Sequence, residues 1–491
     1  MFEILNQTTL VLTAEIAYVV ILIGVCLKII YDTRSSSKTL AYLLFAIFVP
    51  VIGIIFYFSF GINYRKSKIY NKKLEIDESQ KQSFKNRIQT LNKHFSSSNN
   101  PSLVQNQELV HLLANKKNEN QGVLPNNVVK PLFNGEKLFP KLIEELKKAT
   151  KHIHIEYYIY ENDRIGNEIK DILVEKAKSG IEVRFIYDDF GSSGIRKNII
   201  KELRKNGVQA FPFNKIKLIY FANRMNYRNH RKIVIIDGVT SFIGGINISD
   251  RYRNSSDSKL YWKDAHLMIK GYSTLSLQQI FMADWNFCSE ENIMVTNDYF
   301  PQIDINNKNA IPVQITSSGP DSELPSILFS IVQSINLAKK EILLTTPYYI
   351  PDQTLQDSLV IAALSGIDVK LLVPERADSL FVSIATQSYF EDLLNAGAKI
   401  YQYKKGFIHA KTFVTDRQLA SIGTANLDAR SFDLNFEVSS LIYNEKIAQE
   451  LALEFEKDLS DSIEITLETW LKRSRIRKLI ERILRLLSPF M

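Results

Sequence analysis

One pattern occurs twice in this chain, and any fold must accommodate both copies. The segment NHRKIVIIDG (229–238) holds His230, Lys232 and Asp237, and FIHAKTFVTD (407–416) holds His409, Lys411 and Asp416 at the same H-x-K-x4-D spacing. Six residues then separate each aspartate from a glycine, Gly244 or Gly423. Three positions further on stands an asparagine, Asn247 or Asn426. An acid follows each, Asp264 in the first copy and Glu437 in the second. A single His-x-Lys is common by chance. Two copies with matching downstream positions are not.

The flanking sequence is duplicated too. Residues 152–189 align with 341–375: an apolar strand, an amphipathic helix, a Ser-Gly-Ile turn and a second apolar strand. A second helix and short strand follow each, at 201–213 and 389–403. These strands are too apolar to leave one face in water, so they read as buried parallel strands between helices. Self-similarity at this length implies a duplicated domain. The expected fold is α/β, with two like domains at 123–305 and 306–462, each of mixed sheets flanked by helices.

The doubled residues suit a particular chemistry. Two facing imidazoles can divide a two-step transfer, one as nucleophile and one as general acid and base. Two lysines and two asparagines can hold the oxygens of a phosphoryl group as charge develops on it. A carboxylate beside each ring can fix its tautomer, and Glu437 is the candidate to pair with a catalytic ring. The role of Asp264 is less defined, because it lies six residues further from His230 than Glu437 lies from His409. Asp237 and Asp416 belong to the catalytic motif and are expected to orient or brace it. This chemistry needs no metal and no cofactor.

The ends of the chain point to lipid. Residues 39–60 are 22 uncharged residues, long enough to cross a bilayer. The run 10–31 is a weaker span, since Glu15 and Lys28 lie inside it. A signal peptide is the other reading of that run, but a basic leading region and a small-residue cleavage site are both missing. With the short link 32–38, the two runs form a transmembrane hairpin over 1–62, followed by a polar connecting region, 63–122, with one helix near 103–113. Net charge is +8, but segments 61–73 and 469–491 together carry +11, so the rest of the chain sums to −3. The body is therefore not built to bind nucleic acid, whereas an anionic membrane suits the basic flanks. By the positive-inside rule the body is expected on the cytoplasmic side. In the tail 463–491, Ile476, Leu479, Ile480, Ile483, Leu484 and Leu487 recur at helical spacing among Arg and Lys. That pattern fits a helix lying in the membrane interface, or one packed on the body. Cys26 and Cys288 are the only cysteines, so a disulfide framework is not expected.

The doubled H-x-K-x4-D with G-[GT]-x-N resembles the phospholipase D superfamily. Within it, the hairpin, LFNGEKLFPKLIEELKKATKHIHIEYYIY, DDFGSSG, FIGGINISDRY, SSGPD, TPYYIPD, IGTANLDARSFDLNFE and the ending RLLSPFM resemble bacterial cardiolipin synthases. The resemblance implies a pseudo-dimer with one site between its halves. It implies phosphatidyl transfer between two phosphatidylglycerols, giving cardiolipin and glycerol, in a bacterial plasma membrane. It makes His230 the nucleophile and His409 the general acid and base, with Lys232, Lys411, Asn247 and Asn426 on the phosphate. Other members of the superfamily leave rivals open: a lipid hydrolase, a phosphatidylserine-type transferase, or a membrane-tethered nuclease.

Overall fold

A computed structural model of the chain describes residues 2–33, 36–49, 51–58, 100–115, 121–213, 227–256, 258, 260–289, 291, 293–303 and 310–488. The basic stretch 61–73 lies outside them, as do residues 74–99 of the polar region.

Each half builds the same arrangement of strands. Gln209–Phe213, Glu182–Asp188 and His152–Tyr157 run parallel, and so do Lys399–Tyr403, Asp368–Pro374 and Glu341–Thr345. These are the apolar strands of the repeat, and helices such as Arg164–Lys178 and Gln353–Leu364 connect them. The motif strand Ile233–Ile236 then joins antiparallel to His152–Tyr157, in the register Ile153 to Ile236. Its counterpart Thr412–Thr415 joins Glu341–Thr345 in the same sense. Thr240–Gly244, Ala265–Gly271 and Val123–Phe133 complete the first half, and Leu419–Gly423, Glu437–Tyr443 and Ile311–Ser318 complete the second. Val123–Phe133 and Ile311–Ser318 pair antiparallel, so both halves share one 15-stranded sheet.

Branched apolar residues explain the motif strands. All four residues of Ile233–Ile236 are buried, and β-branched side chains favour such a site. A core cluster containing Ile233, Ile243, Leu267, Trp285, Val414, Ile422 and Val438 crosses the seam between the halves. Further clusters under each outer flank hold the helices to the sheet. The seam is therefore core rather than a loose domain contact.

The N-terminal hairpin differs from expectation. The first run forms the long helix, Phe2–Asp32, and within it Leu10–Asp32 is the one segment among the described residues long and apolar enough to cross a membrane. Lys28 pairs with Asp32 at the helix end (3.1 Å), which lessens the cost of its charge. The second run is not one continuous helix. Ser36–Phe48 ends before Pro50, and Ile52–Phe56 follows with Val51 at φ 59°. Proline removes a backbone donor and clashes with the preceding turn, a cost of about 3 kcal/mol inside a helix. Val25 and Ile29 of the first helix pack against Tyr42, Ala46 and Tyr57. Lys38 ties this hairpin to the body through Asp433 (2.5 Å). The helix expected near 103–113 is two short ones, Pro101–Gln105 and Gln107–Ala114.

The tail turns helical at Arg475–Leu487, after the strand Ser462–Ile465 and a short helix, Leu467–Leu471, that buries Trp470. It packs on the body by its polar side. Arg473 and Arg477 pair with Glu481, Arg473 also with Glu391, and Arg485 with Asp392. Its apolar side faces outward, with Leu479 59% and Leu486 74% exposed. Leu380 and Phe381, on the neighbouring helix Leu380–Gln387, are exposed as well.

Candidate active site

The two motifs meet where the halves cross-stitch. Phe436, immediately before Glu437, accepts a backbone hydrogen bond from His230 (3.0 Å) and donates one to Arg228 (2.9 Å). In the mirror position, Lys263, immediately before Asp264, accepts one from His409 (2.7 Å). Gly406–Ile408 and Tyr261–Lys263 run parallel there, and a Cβ on Gly406 would fall 2.0 Å from the Tyr261 carbonyl oxygen. Only a glycine allows that approach.

The cross-stitching sets the pairing of acids and rings. His409 Nδ1 lies 2.7 Å from Asp264 Oδ2, and His230 Nδ1 lies 3.1 Å from Glu437 Oε1. Each histidine therefore leans on the carboxylate of the other half. Because each acid serves the histidine of the other half, the extra six residues before Asp264 carry no penalty. A carboxylate accepts only, so the His409 ring, hydrogen-bonded to Asp264, carries its proton on Nδ1 and leaves the Nε2 lone pair for chemistry, while His230 Nδ1 meets Glu437 at ion-pair distance.

The two acids are held differently. Thr424 donates its hydroxyl to Glu437 Oε2 (2.5 Å), and Asn435 donates to Oε1 (3.2 Å). The position equivalent to Thr424 is Gly245, where a Cβ would lie 2.2 Å from Asp264 Oδ1. The ring of His409 thus has the shorter carboxylate contact, while the ring of His230 has a carboxylate steered from behind.

Burial sets the charges. Both histidine rings are pushed down to about 4, first by burial and then by Lys232 at His230 and Lys411 at His409. The other half's lysine adds to this at each ring, so both motifs act within one site. Burial also brings Lys232 down to about 8 and Lys411 down to about 7. Each donates to the backbone carbonyl of its own histidine, at 2.6 and 2.5 Å, rather than to a carboxylate. A tetrahedral anion entering the cavity would supply the countercharge. Asn426 Oδ1 and one carboxamide hydrogen position also stand ready, since its Nδ2 reaches only Asp428 (3.2 Å). Asn247 is more committed: it accepts from the Ile159 amide and donates to Tyr252.

Asp237 and Asp416 are not in the cavity. They sit at the far ends of the motif strands at φ 54° and 52°. Asp237 accepts from the amides of Thr150, Lys151 and His152, and Asp416 from those of Lys339, Lys340 and Glu341. They brace the start of the neighbouring strand. Tyr158, with its ring 4.3 Å from that of His230, and Trp262, 5.4 Å from that of His409, form aromatic walls that spacing alone did not reveal.

A family model described as "Cardiolipin synthase, PLD-like domain" matches residues 142–285 and 331–459, and one described as "Phospholipase_D-nuclease N-terminal" matches 16–61. The cardiolipin synthase of Alkalihalophilus pseudofirmus is 39% identical over 99% of this chain and 95% of its own. The chain belongs to the cardiolipin synthase family. The major cardiolipin synthase of Bacillus subtilis is 40% identical over 94% of this chain and 95% of its own. Among solved structures, phosphatidylserine synthase of Haemophilus influenzae superposes with a TM-score of 0.57 at 14% identity, covering 78% of this chain and all of that one, which speaks to the fold alone. Members of the cardiolipin synthase family are phosphatidyltransferases of the phospholipase D superfamily, and the duplicated fold with its N-terminal apolar helix is that of a membrane-associated member.

Proposed function

We propose that this member of the family joins two phosphatidylglycerols into cardiolipin and glycerol through a phosphatidyl-histidine. The observation that carries the mechanism is the crossed pairing of two histidines and two carboxylates with a lysine beside each ring. His230 Nε2 attacks the phosphorus of the first lipid, and the bond from phosphorus to the glycerol headgroup breaks. Once the anionic phosphate is bound, the His409 ring takes up a second proton on Nε2 from solvent and gives it to the leaving glycerol oxygen. It then takes a proton from a hydroxyl of the second lipid's headgroup, that oxygen attacks phosphorus, and the bond to His230 breaks. The 2.7 Å contact to Asp264 favours His409 for the protonated role, because a close carboxylate supports an imidazolium. Lys232, Lys411, Asn247 and Asn426 hold the phosphate oxygens.

The purified chain, reconstituted with phosphatidylglycerol alone, is expected to yield cardiolipin and glycerol on thin-layer chromatography. Phosphatidic acid as the main product would replace transfer by hydrolysis.

The hairpin anchors the protein in the bacterial plasma membrane as two passes, with the body on the cytoplasmic side, where the basic stretch 61–73 meets anionic lipid. The outward apolar side of Arg475–Leu487, with Leu380 and Phe381, rests on the same surface. Basic Arg475, Lys478 and Arg482 on that exposed helix suit an anionic interface. A solvatochromic dye on Leu486→Cys, in a Cys26→Ser, Cys288→Ser background, should shift to the blue when the full chain enters phosphatidylglycerol vesicles. A water-like emission would place that face off the membrane.

A further inference from the structure

The reaction above needs a second anion site. The acceptor lipid brings its own phosphodiester, one glycerol unit away from the attacking hydroxyl, and the lysines already hold the donor's. Two arginines beside His230 meet this need. Asn435 donates its amide to the Arg430 carbonyl (3.1 Å), and the next residue, Phe436, donates to the Arg228 carbonyl (2.9 Å) and accepts from His230. Arg430, Arg228 and His230 are therefore strung along one short backbone segment. The charges of both arginines bear on Tyr158, which packs on the His230 ring, and Arg430 opposes the charge of Arg228.

Neither guanidinium is neutralised by a carboxylate within ion-pair reach among the described residues. Arg228 is 5% exposed and lies over the Phe190 ring at 4.2 Å. The nearby Asp188 carboxylate is taken up by the amides of Phe190, Gly191 and Asn229, and Asp189 pairs with Arg196 (2.8 Å). Two like charges left together and half out of water are costly without an anion between them.

The pseudo-twofold axis makes the pair distinctive. The position equivalent to Arg228, two before the histidine, is Phe407 in the second half. The position equivalent to Arg430, four after the asparagine, is Arg251 in the first half, and Arg251 is paired with Glu161. Among the described residues, a second arginine thus joins Arg228 on the His230 side, where Asp188 offsets part of the Arg228 charge. The helix bearing Arg430, Ala429–Asp433, is also the one that Lys38 of the membrane hairpin grips through Asp433.

We infer that Arg228 and Arg430 form a subsite for the phosphodiester of the acceptor lipid, breaking the symmetry of the duplicated site. This rests on the transferase reading. Guanidinium groups suit this ligand, since they offer paired donors to phosphate oxygens. The subsite explains how a lipid acceptor competes with the glycerol and water that reach the same intermediate.

The test compares two reactions of the reconstituted full chain. Exchange of labelled glycerol into phosphatidylglycerol uses a neutral acceptor, and cardiolipin formation uses a charged one. In Arg430→Gln the ratio of cardiolipin formed to glycerol exchanged should fall about tenfold, the scale of one charge-assisted hydrogen bond. Arg228→Gln should lower it at least as far, and Arg430→Lys should restore part of it. An unchanged ratio in Arg430→Gln, in a preparation whose melting temperature matches the wild type, overturns the subsite. Glycerophosphoglycerol should compete with cardiolipin formation in the wild type more strongly than in Arg430→Gln. Inorganic phosphate competing where glycerophosphoglycerol does not would assign the pair to free phosphate and overturn the acceptor role. A wild type that makes neither product defeats the transferase reading itself.

Discussion

His230→Ala and His409→Ala are each expected to lower cardiolipin formation by about a thousandfold or more, the range for loss of a nucleophile or of a general acid and base. The double variant should be little worse than either single one, because both rings serve one transferred group and groups acting as a unit are not additive. Neither change should unfold the protein. Both rings face the cavity, and the strands behind them are held by the buried Ile233–Ile236 and Thr412–Thr415 segments and by the aspartate braces at their far ends. Circular dichroism and melting temperature should match the wild type. The two variants should differ in one respect. His409→Ala keeps the nucleophile, so an intermediate on His230 should be visible by mass spectrometry with a donor whose leaving group needs no proton. A variant of either histidine that keeps near-normal turnover removes that residue from the mechanism.

The duplication made much of this site legible. Two H-x-K-x4-D copies, each in the same place of a repeated strand-helix-strand unit, are enough to expect two like halves facing one another. The buried parallel strands followed from continuous apolar runs in segments such as EILLTT and KLLVP, whereas HIHIEY alternates polar and apolar residues and is nonetheless buried on both faces. The partnership of Asp264 and Glu437 was not legible, because it is set by the short pairings of Asn229 with Phe436 and of Gly406–Ile408 with Tyr261–Lys263. Those partners lie more than a hundred residues apart and have no periodic signature. The same holds for Arg228 and Arg430, whose neutralised or apolar counterparts, Arg251 and Phe407, emerge only when the halves are superposed. Hydropathy misjudged the hairpin for a different reason. It sums residues without regard to backbone continuity, so 39–60 scored above 10–31 although Pro50 interrupts it.

The crossed carboxylates give the second large effect, and one that separates the halves. Asp264→Asn lies in the first half of the chain, yet its damage should fall on His409. The amide can donate to the ring nitrogen as well as accept, which disturbs the tautomer, and a lesion of this kind can cost up to about 10⁴ in turnover. Glu437→Gln should likewise injure His230, with Thr424 and Asn435 still holding the side chain in place. A phosphatidyl ester of p-nitrophenol tells the two apart, since its leaving group departs without a proton. With Asp264→Asn, attack by His230 proceeds and the second step stalls. A burst of nitrophenolate near one equivalent per active site should appear, followed by slow turnover. With Glu437→Gln, the attack itself is impaired and no burst should appear. If carboxylates served the histidines of their own halves, the burst would move to Glu437→Gln. That exchange of phenotypes would overturn the crossed arrangement, and with it the assignment of His409 as the proton carrier.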